Sequence, residues 1–302
     1  MNRILTLVFA LFSIVSSQGQ SFYAIRQERS FMLTGGTGTS TYYGELSNPG
    51  TYIKFQPNFN VGLQTYVSPR ISVRTELNWF ILQGSDKLAN SQGRKVRGLS
   101  FHSSCFEISA TGAINIFSNG NRYYRRPIIN GYAFAGFGVL YFNPKGDLNG
   151  KSYALEPLHT EGKSYSRVVP VIPFGFGIRL KVSPNTNIVI EGGYRKTFTD
   201  YLDDVSGKYA APDPNDKVRA YFENPNSATY NTLTPIAAGE SNNFKEGSKR
   251  GNPSSNDSYF LLNAKIEYYL PFNASYSKRG GAILRKRSSM YRYNKRGGIR
   301  RR

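Results

Sequence analysis

The sequence predicts an all-β fold: an antiparallel transmembrane β-barrel of about eight strands with a basic periplasmic tail at the C-terminus. Three observations predict it. The chain opens on a secretory signal; beyond it no apolar run is long enough for a membrane helix and the mean hydropathy is negative; and several segments alternate apolar and charged residues over about ten positions.

The signal comes first. Asn2 and Arg3 precede an apolar run from Ile4 to Val15, which gives way to Ser16-Ser17-Gln18-Gly19-Gln20. A charged start, an apolar core and small residues at the exit mark residues 1–19 as a signal peptide. The core falls short of the roughly 20 residues a membrane-spanning helix needs. No cysteine stands near the junction, so acylation there is excluded. The single cysteine, Cys105, cannot form an internal disulfide, so burial or closure of a sheet must hold the fold. The 22 Tyr, 20 Phe and 30 Gly favour strands, and no helical periodicity is sustained.

In chain order, strands are expected at Ser30 to Tyr43, Phe55 to Val67 and Ile71 to Ile81, then Leu99 to Phe117 and Ile128 to Phe142. Three more follow at Val168 to Val182, Ile188 to Thr199 and Phe260 to Phe272. The third is strictly two-faced: Ile71, Val73, Leu77, Trp79 and Ile81 alternate with Ser72, Arg74, Glu76 and Asn78. The sixth sets Ile172, Phe174, Phe176 and Ile178 against Gly175, Gly177 and Arg179. The last sets Leu262, Ala264 and Ile266 against Asn263, Lys265 and Glu267. In the fourth the apolar parity changes between Phe101 and Phe106, which reads as a bulge near Ser103 to Cys105.

Connections alternate in length. The turns at Val67 to Arg70 and Ser183 to Thr186 are tight and Ser118 to Arg126 is moderate. Gly44 to Lys54, Gly84 to Gly98, Asn143 to Ser166 and Asp200 to Asp257 are long. Short periplasmic turns and long external loops place both termini in the periplasm of an outer-membrane barrel. The barrel domain is read as residues 20–273. Arg74, Glu76, Glu107, Arg179, Lys181, Glu191, Arg195, Lys265 and Glu267 fall on the inner faces, where both signs can pair across a narrow lumen. A barrel of about eight strands fills its interior with side chains, which argues against a diffusion pore. Trp79 and the many tyrosines near strand ends fit an interfacial aromatic girdle.

Residues 274–302 form the tail. Eleven of the chain's 39 Lys and Arg lie here, with no Asp or Glu: Lys278, Arg279, Arg285, Lys286, Arg287, Arg292, Lys295, Arg296, Arg300, Arg301 and Arg302. More than half of the formal charge of +20 therefore belongs to the tail and not to the barrel. Basic residues interleaved with Tyr and Gly suit nucleic acid, but a secreted chain faces acidic proteins, lipid phosphates or cell-wall carboxylates instead. Fully extended, about thirty residues reach roughly 100 Å.

The seventh strand and its exit read Glu191-Gly-Gly-Tyr194-Arg195-Lys196-Thr197-Phe198-Thr199-Asp200-Tyr201-Leu202-Asp203-Asp204. This stretch resembles the PorG family of outer-membrane barrels from the type IX secretion system. Tyr42-Tyr43-Gly44-Glu45-Leu46, Tyr132 to Lys145 and Leu155 to Gly162 support the resemblance in the family's order. The motif residues are Tyr194, Arg195, Thr197, Thr199, Asp200, Tyr201, Asp203 and Asp204. The resemblance implies a component of the secretion or gliding apparatus that contacts a periplasmic ring built of a lipoprotein and its partner. The alternative is a generic small outer-membrane barrel with an adhesive or cell-wall-linking role.

No enzyme is expected. Only His102 and His159 are available as acid–base groups, and no Ser or Asp stands at a spacing that forces contact with either. No cofactor or metal is expected: Asp200, Asp203 and Asp204 only superficially resemble a calcium loop and read as acids capping a strand end. The expected partners are the ring proteins and outer-membrane lipid, with no nucleic acid.

Overall fold

A computed structural model describes residues 31–47, 56–119, 123–211, 216–225, 246–270, 272–276 and 282–286. The signal segment and most of the basic tail lie outside the described residues. Ten strands form one antiparallel sheet: β1 (Phe31–Tyr43), β2 (Gln56–Tyr66), β3 (Ile71–Ser85), β4 (Ser100–Asn115), β5 (Ile129–Tyr141), β6 (Pro144–Leu148), β7 (Lys151–Ala154), β8 (Val168–Lys181), β9 (Thr186–Thr197) and β10 (Ser258–Tyr269). Eight close into an up-and-down ring, and the β6–β7 hairpin branches from the rim of β4. Pairing of β1 with β10, from Met32↔Tyr269 to Tyr43↔Ser258, joins the first and last strands of the ring and leaves no free edge.

The outward face is apolar. Leu33, Phe59, Val61, Leu77, Phe106, Ile108, Phe137, Phe176, Ile190 and Ile266 are all exposed on it. Trp79 stacks on Phe59 across β2 and β3 at 5.8 Å. A continuous apolar wall of this size is a liability in water and is the surface a barrel presents to lipid. Among the described residues, no helix is long and apolar enough to cross a membrane. The architecture is therefore that of an eight-stranded outer-membrane barrel.

The inward face is its complement. Arg74, Arg179, Arg195 and Lys265 are buried with Glu76, Glu107, Glu191 and Glu267, four cations against four carboxylates. Glu191 accepts from Arg74 Nη1 at 2.7 Å, Tyr132 Oη at 2.6 Å and Lys265 Nζ at 2.9 Å. Lys265 also reaches Glu76 at 2.6 Å. Towards the short turns, Arg179 grips Glu267 through Nε at 2.6 Å and Nη2 at 2.9 Å. Towards the long loops, Arg195 faces Glu107 at 3.6 Å, and the Tyr259 hydroxyl donates to the same carboxylate at 2.7 Å. Lys181, the ninth charge read as internal, lies at the edge and donates to the Tyr124 carbonyl at 2.5 Å. Glycines make room for these groups: a Cβ on Gly177 would enter the Tyr132 ring. The lumen is a plug and not a channel.

Three expectations are corrected. Strand β4 carries no bulge, because β3 and β4 pair one to one from Ile71↔Ile114 to Ser85↔Ser100. Odd positions face inward along the whole strand, from Phe101 to Asn115. What changes is the medium: Phe106 faces outward to lipid, whereas Phe101 points into an apolar core at the long-loop end with Phe80, Leu82, Cys105 and Leu140. Secondly, the last barrel strand ends at Tyr269, not Phe272. A separate hairpin, β11 (Phe272–Tyr276) and β12 (Ala282–Lys286), follows Pro271, which has no amide hydrogen to continue a ladder. Arg285 and Lys286 therefore belong to a strand. Thirdly, the connection from Asn143 to Ser166 holds the β6–β7 hairpin.

Candidate functional site: the cap over the long-loop end

The four long connections leave the same end of the ring and pack into a cap. Isolated apolar residues in otherwise polar loops supply its core: Leu46, Leu99, Leu148, Leu155, Leu202, Val205 and Phe222 join the apolar ends of the strands below. Two short helices contribute. Gln92–Arg97 stops at Gly98 in the left-handed region, with φ of 70°, and Lys217–Glu223 is capped by Asp216, which accepts from Val218 N and Arg219 N.

Ion pairs tie the loops together. Fully buried Asp86 receives Arg97 Nε at 2.6 Å and Arg94 Nε at 3.0 Å. Arg97 also donates to the Arg250 carbonyl at 2.6 Å. Arg250 reaches Glu161 at 3.0 Å and Asp204 at 3.6 Å, and donates to the Phe222 carbonyl at 3.2 Å. Asp204 adopts φ of 66° and accepts from Thr160 Oγ1 at 2.5 Å and Tyr165 Oη at 2.7 Å.

The motif residues from β9 onward mostly build this cap. Arg195 lies in the lumen, Thr197 donates to the Asp257 carbonyl at 2.5 Å, and Tyr194 donates to Ser258 Oγ at 2.5 Å from the outer face. Thr199 Oγ1 accepts from Tyr201 N at 3.2 Å, and the Tyr201 ring stacks on Tyr165 at 4.7 Å. Asp203 accepts from Val205 N at 2.9 Å and Leu46 N at 3.3 Å, stitching two loops.

Asp200 differs from its neighbours. It is 6 % exposed, yet neither carboxylate oxygen has a hydrogen-bond partner. The nearby Ser206 hydroxyl favours its ionised form without reaching hydrogen-bond geometry. Glu45 from the β1–β2 loop and Asp257 from the foot of β10 meet it, with one oxygen of each of the three residues within 4.8 Å of the others. Burial, with the charges of Glu45 and Glu161 adding, pushes Asp200 up to about 7. Burial and like charge also push Asp203 and Asp257 well above the usual carboxylate range. Reading Asp200, Asp203 and Asp204 as one run along the chain misses this grouping: two of its three members come from elsewhere in the sequence.

The histidines are on the cap's flank. The β6–β7 hairpin sets Asp147 beside His102, with Oδ2 3.4 Å from Nδ1, a contact the spacing does not reveal. Asp147 also accepts from Ser152 Oγ at 2.5 Å. The carboxylate thus stands between serine and histidine, whereas an activated serine needs the histidine in the middle. His159 is exposed and takes a left-handed turn, with φ of 48°. Of the eleven basic residues of the tail, Arg285 and Lys286 fall in β12. Lys278, Arg279, Arg287, Arg292, Lys295, Arg296, Arg300, Arg301 and Arg302 lie outside the described residues.

Solved barrels with similar outlines share little sequence with this chain. Neisserial surface protein A is 8 % identical, with 80 % of this chain and 97 % of that one covered and a TM-score of 0.40. Ail, the attachment invasion locus protein of Yersinia pestis, solved with the heparin analogue sucrose octasulfate, is 12 % identical over 79 % of this chain and 97 % of its own, with a TM-score of 0.37. The N-terminal β-barrel domain of Pseudomonas aeruginosa OprF is 5 % identical over 80 % and 97 %, with a TM-score of 0.35. No curated protein matches the sequence. A family model described as a domain of unknown function, DUF6089, matches residues 2–262, and the chain belongs to that family.

Proposed function

We propose that this protein is an outer-membrane anchoring component of a type IX secretion or gliding apparatus. In this reading its short-turn end and basic tail face the periplasm and contact a ring built of a lipoprotein and its partner. The observation that carries it is the sealed interior. Four cations and four carboxylates plug the shaft, and a packed cap covers the long-loop end. A barrel with no open bore serves by attachment, not conduction. The sequence resemblance supplies the machine, and the tail's uncompensated positive charge supplies a long-range attraction to an acidic partner. The reversed order of Ser152, Asp147 and His102 supports a non-catalytic role.

The test is co-purification in mild detergent from the native membrane, with the full chain and a chain truncated after Tyr276. The expected result is that ring proteins follow the full chain and are depleted by truncation. Ring proteins retained by the truncated chain would move the contact to the short turns. Their absence from both would defeat the proposal. The packed cap favours a second reading, adhesion or wall linkage through the loops. Deletion of the gene with secretion intact and attachment lost would select it.

A further inference from the structure

The Asp200 carboxylate is ionisable and buried, neither oxygen is in hydrogen-bond geometry with a partner, and it lies beside two more carboxylates from different segments. Leaving such a group unpaired is costly. Two other buried acids of the cap have cationic partners, Asp86 in two arginines and Asp204 in Arg250 beside a hydroxyl pair, and Asp203 has backbone amides on both oxygens. Arg97 and Arg250 are thereby committed, and neither forms an ion pair with Glu45, Asp200 or Asp257 among the described contacts. Glu45 accepts from Asn252 N at 3.0 Å through Oε1 and leaves Oε2 unpartnered. Asp257 accepts from Tyr42 Oη at 2.7 Å and Leu202 N at 2.9 Å, one bond on each oxygen, so a lone pair remains on both.

We infer that Glu45, Asp200 and Asp257 form a binding site for one calcium ion, which ties the β1–β2 loop to both ends of the β9–β10 loop. The donor set is all carboxylate oxygen, the hard ligand type that calcium and magnesium take and that zinc and copper sites supplement with nitrogen or sulfur. The three oxygens lie within 4.8 Å of one another, close enough for one ion to bridge all of them. Dehydration separates the two candidates: magnesium gives up its waters reluctantly and seldom takes a cage of protein oxygens, whereas calcium accepts one in flexible geometry. Main-chain carbonyls and water complete the six to eight positions calcium fills. The inference is independent of the anchoring reading.

The experiment uses the full chain in detergent, stripped with a chelator and titrated calorimetrically with calcium chloride, and separately with magnesium chloride. One calcium site is expected, with a dissociation constant of about 0.1–1 mM, the range of extracellular calcium modules. Calcium should also slow tryptic cleavage within residues 198–257. Asp200→Asn and Glu45→Gln should each weaken binding at least about tenfold, since each removes a ligand charge. Asp147→Asn, which removes an exposed carboxylate of the same cap, should leave it unchanged. Retention of the unboiled-gel mobility shift confirms that each variant is still a closed barrel, and Glu45→Gln at the less buried position answers if Asp200→Asn does not assemble. Absence of calcium heat and protection in the wild-type chain overturns the site, as does unaltered affinity in both ligand variants. Tighter binding of magnesium overturns the choice of ion.

Discussion

The shaft and the cap solve opposite problems with the same strands. In the shaft the outside meets lipid, so apolar residues face outward and the interior takes the charges, with Arg74, Arg179, Arg195 and Lys265 set against Glu76, Glu107, Glu191 and Glu267. In the cap the outside meets water, so the apolar residues turn inward, and the carboxylates of half-buried Glu45 and of buried Asp200 and Asp257 are left in excess. Strand β3 shows both regimes: Arg74 and Glu76 face in at one level, Phe80 and Leu82 at the next. The solvent outside decides the chemistry inside. Where no water is available every charge must find its opposite in the protein, and where water is near an imbalance can be left for an ion to fill.

Removing one charge from the shaft tests this hardest. Glu191→Leu strips Arg74 and Lys265 of a shared partner and should lower barrel stability by about 3–5 kcal/mol in urea unfolding. A smaller loss, about 2–4 kcal/mol, is expected for Leu202→Ala, whose side chain is fully buried in the cap. Its effect should be local, with faster proteolysis between 198 and 257 and an intact shaft; a globally unfolded barrel would show that cap and shaft are one cooperative unit. Replacing both members of an ion pair should be milder still: Arg179→Met with Glu267→Leu is expected within about 1.5 kcal/mol of wild type, while Arg179→Met alone approaches the Glu191 value. If the double variant is as weak as the single one, charge balance is not what stabilises the lumen. The smallest effect concerns Cys105, which has no exposed surface. It should resist maleimide in the folded barrel and react fully after unfolding; labelling of the folded chain would mean that the junction of shaft and cap opens.

The shaft was legible because its signal is local. A period of two over about ten residues can be read without knowing what pairs with what, and the inner positions of Arg74, Glu107, Glu191 and Lys265 follow from parity alone. The cap was not, because its residues are informative only together. Leu46, Leu202 and Phe222 belong to connections and lie far apart along the chain. Asp257 looks like the start of a strand until it meets Glu45 and Asp200. Asp147 reaches His102 only through a hairpin that the composition of that loop does not announce. The apparent bulge in β4 came from the same gap: a change of medium along a regular strand looks, in sequence, like a change of register.

That crossover also measures the bilayer. On β3 the outward apolar positions run from Ile71 to Ile81, ten steps of about 3.3 Å, or roughly 33 Å of strand. At a tilt of about 40° this spans close to 25 Å, the height of the apolar band on outer-membrane barrels. Strand β3 continues to Ser85 beyond it, so the ladder rises clear of the hydrocarbon before the chain turns. Each strand thus carries its own depth mark, the place where its greasy side changes, and a membrane thicker by one residue pair would drown the base of the cap.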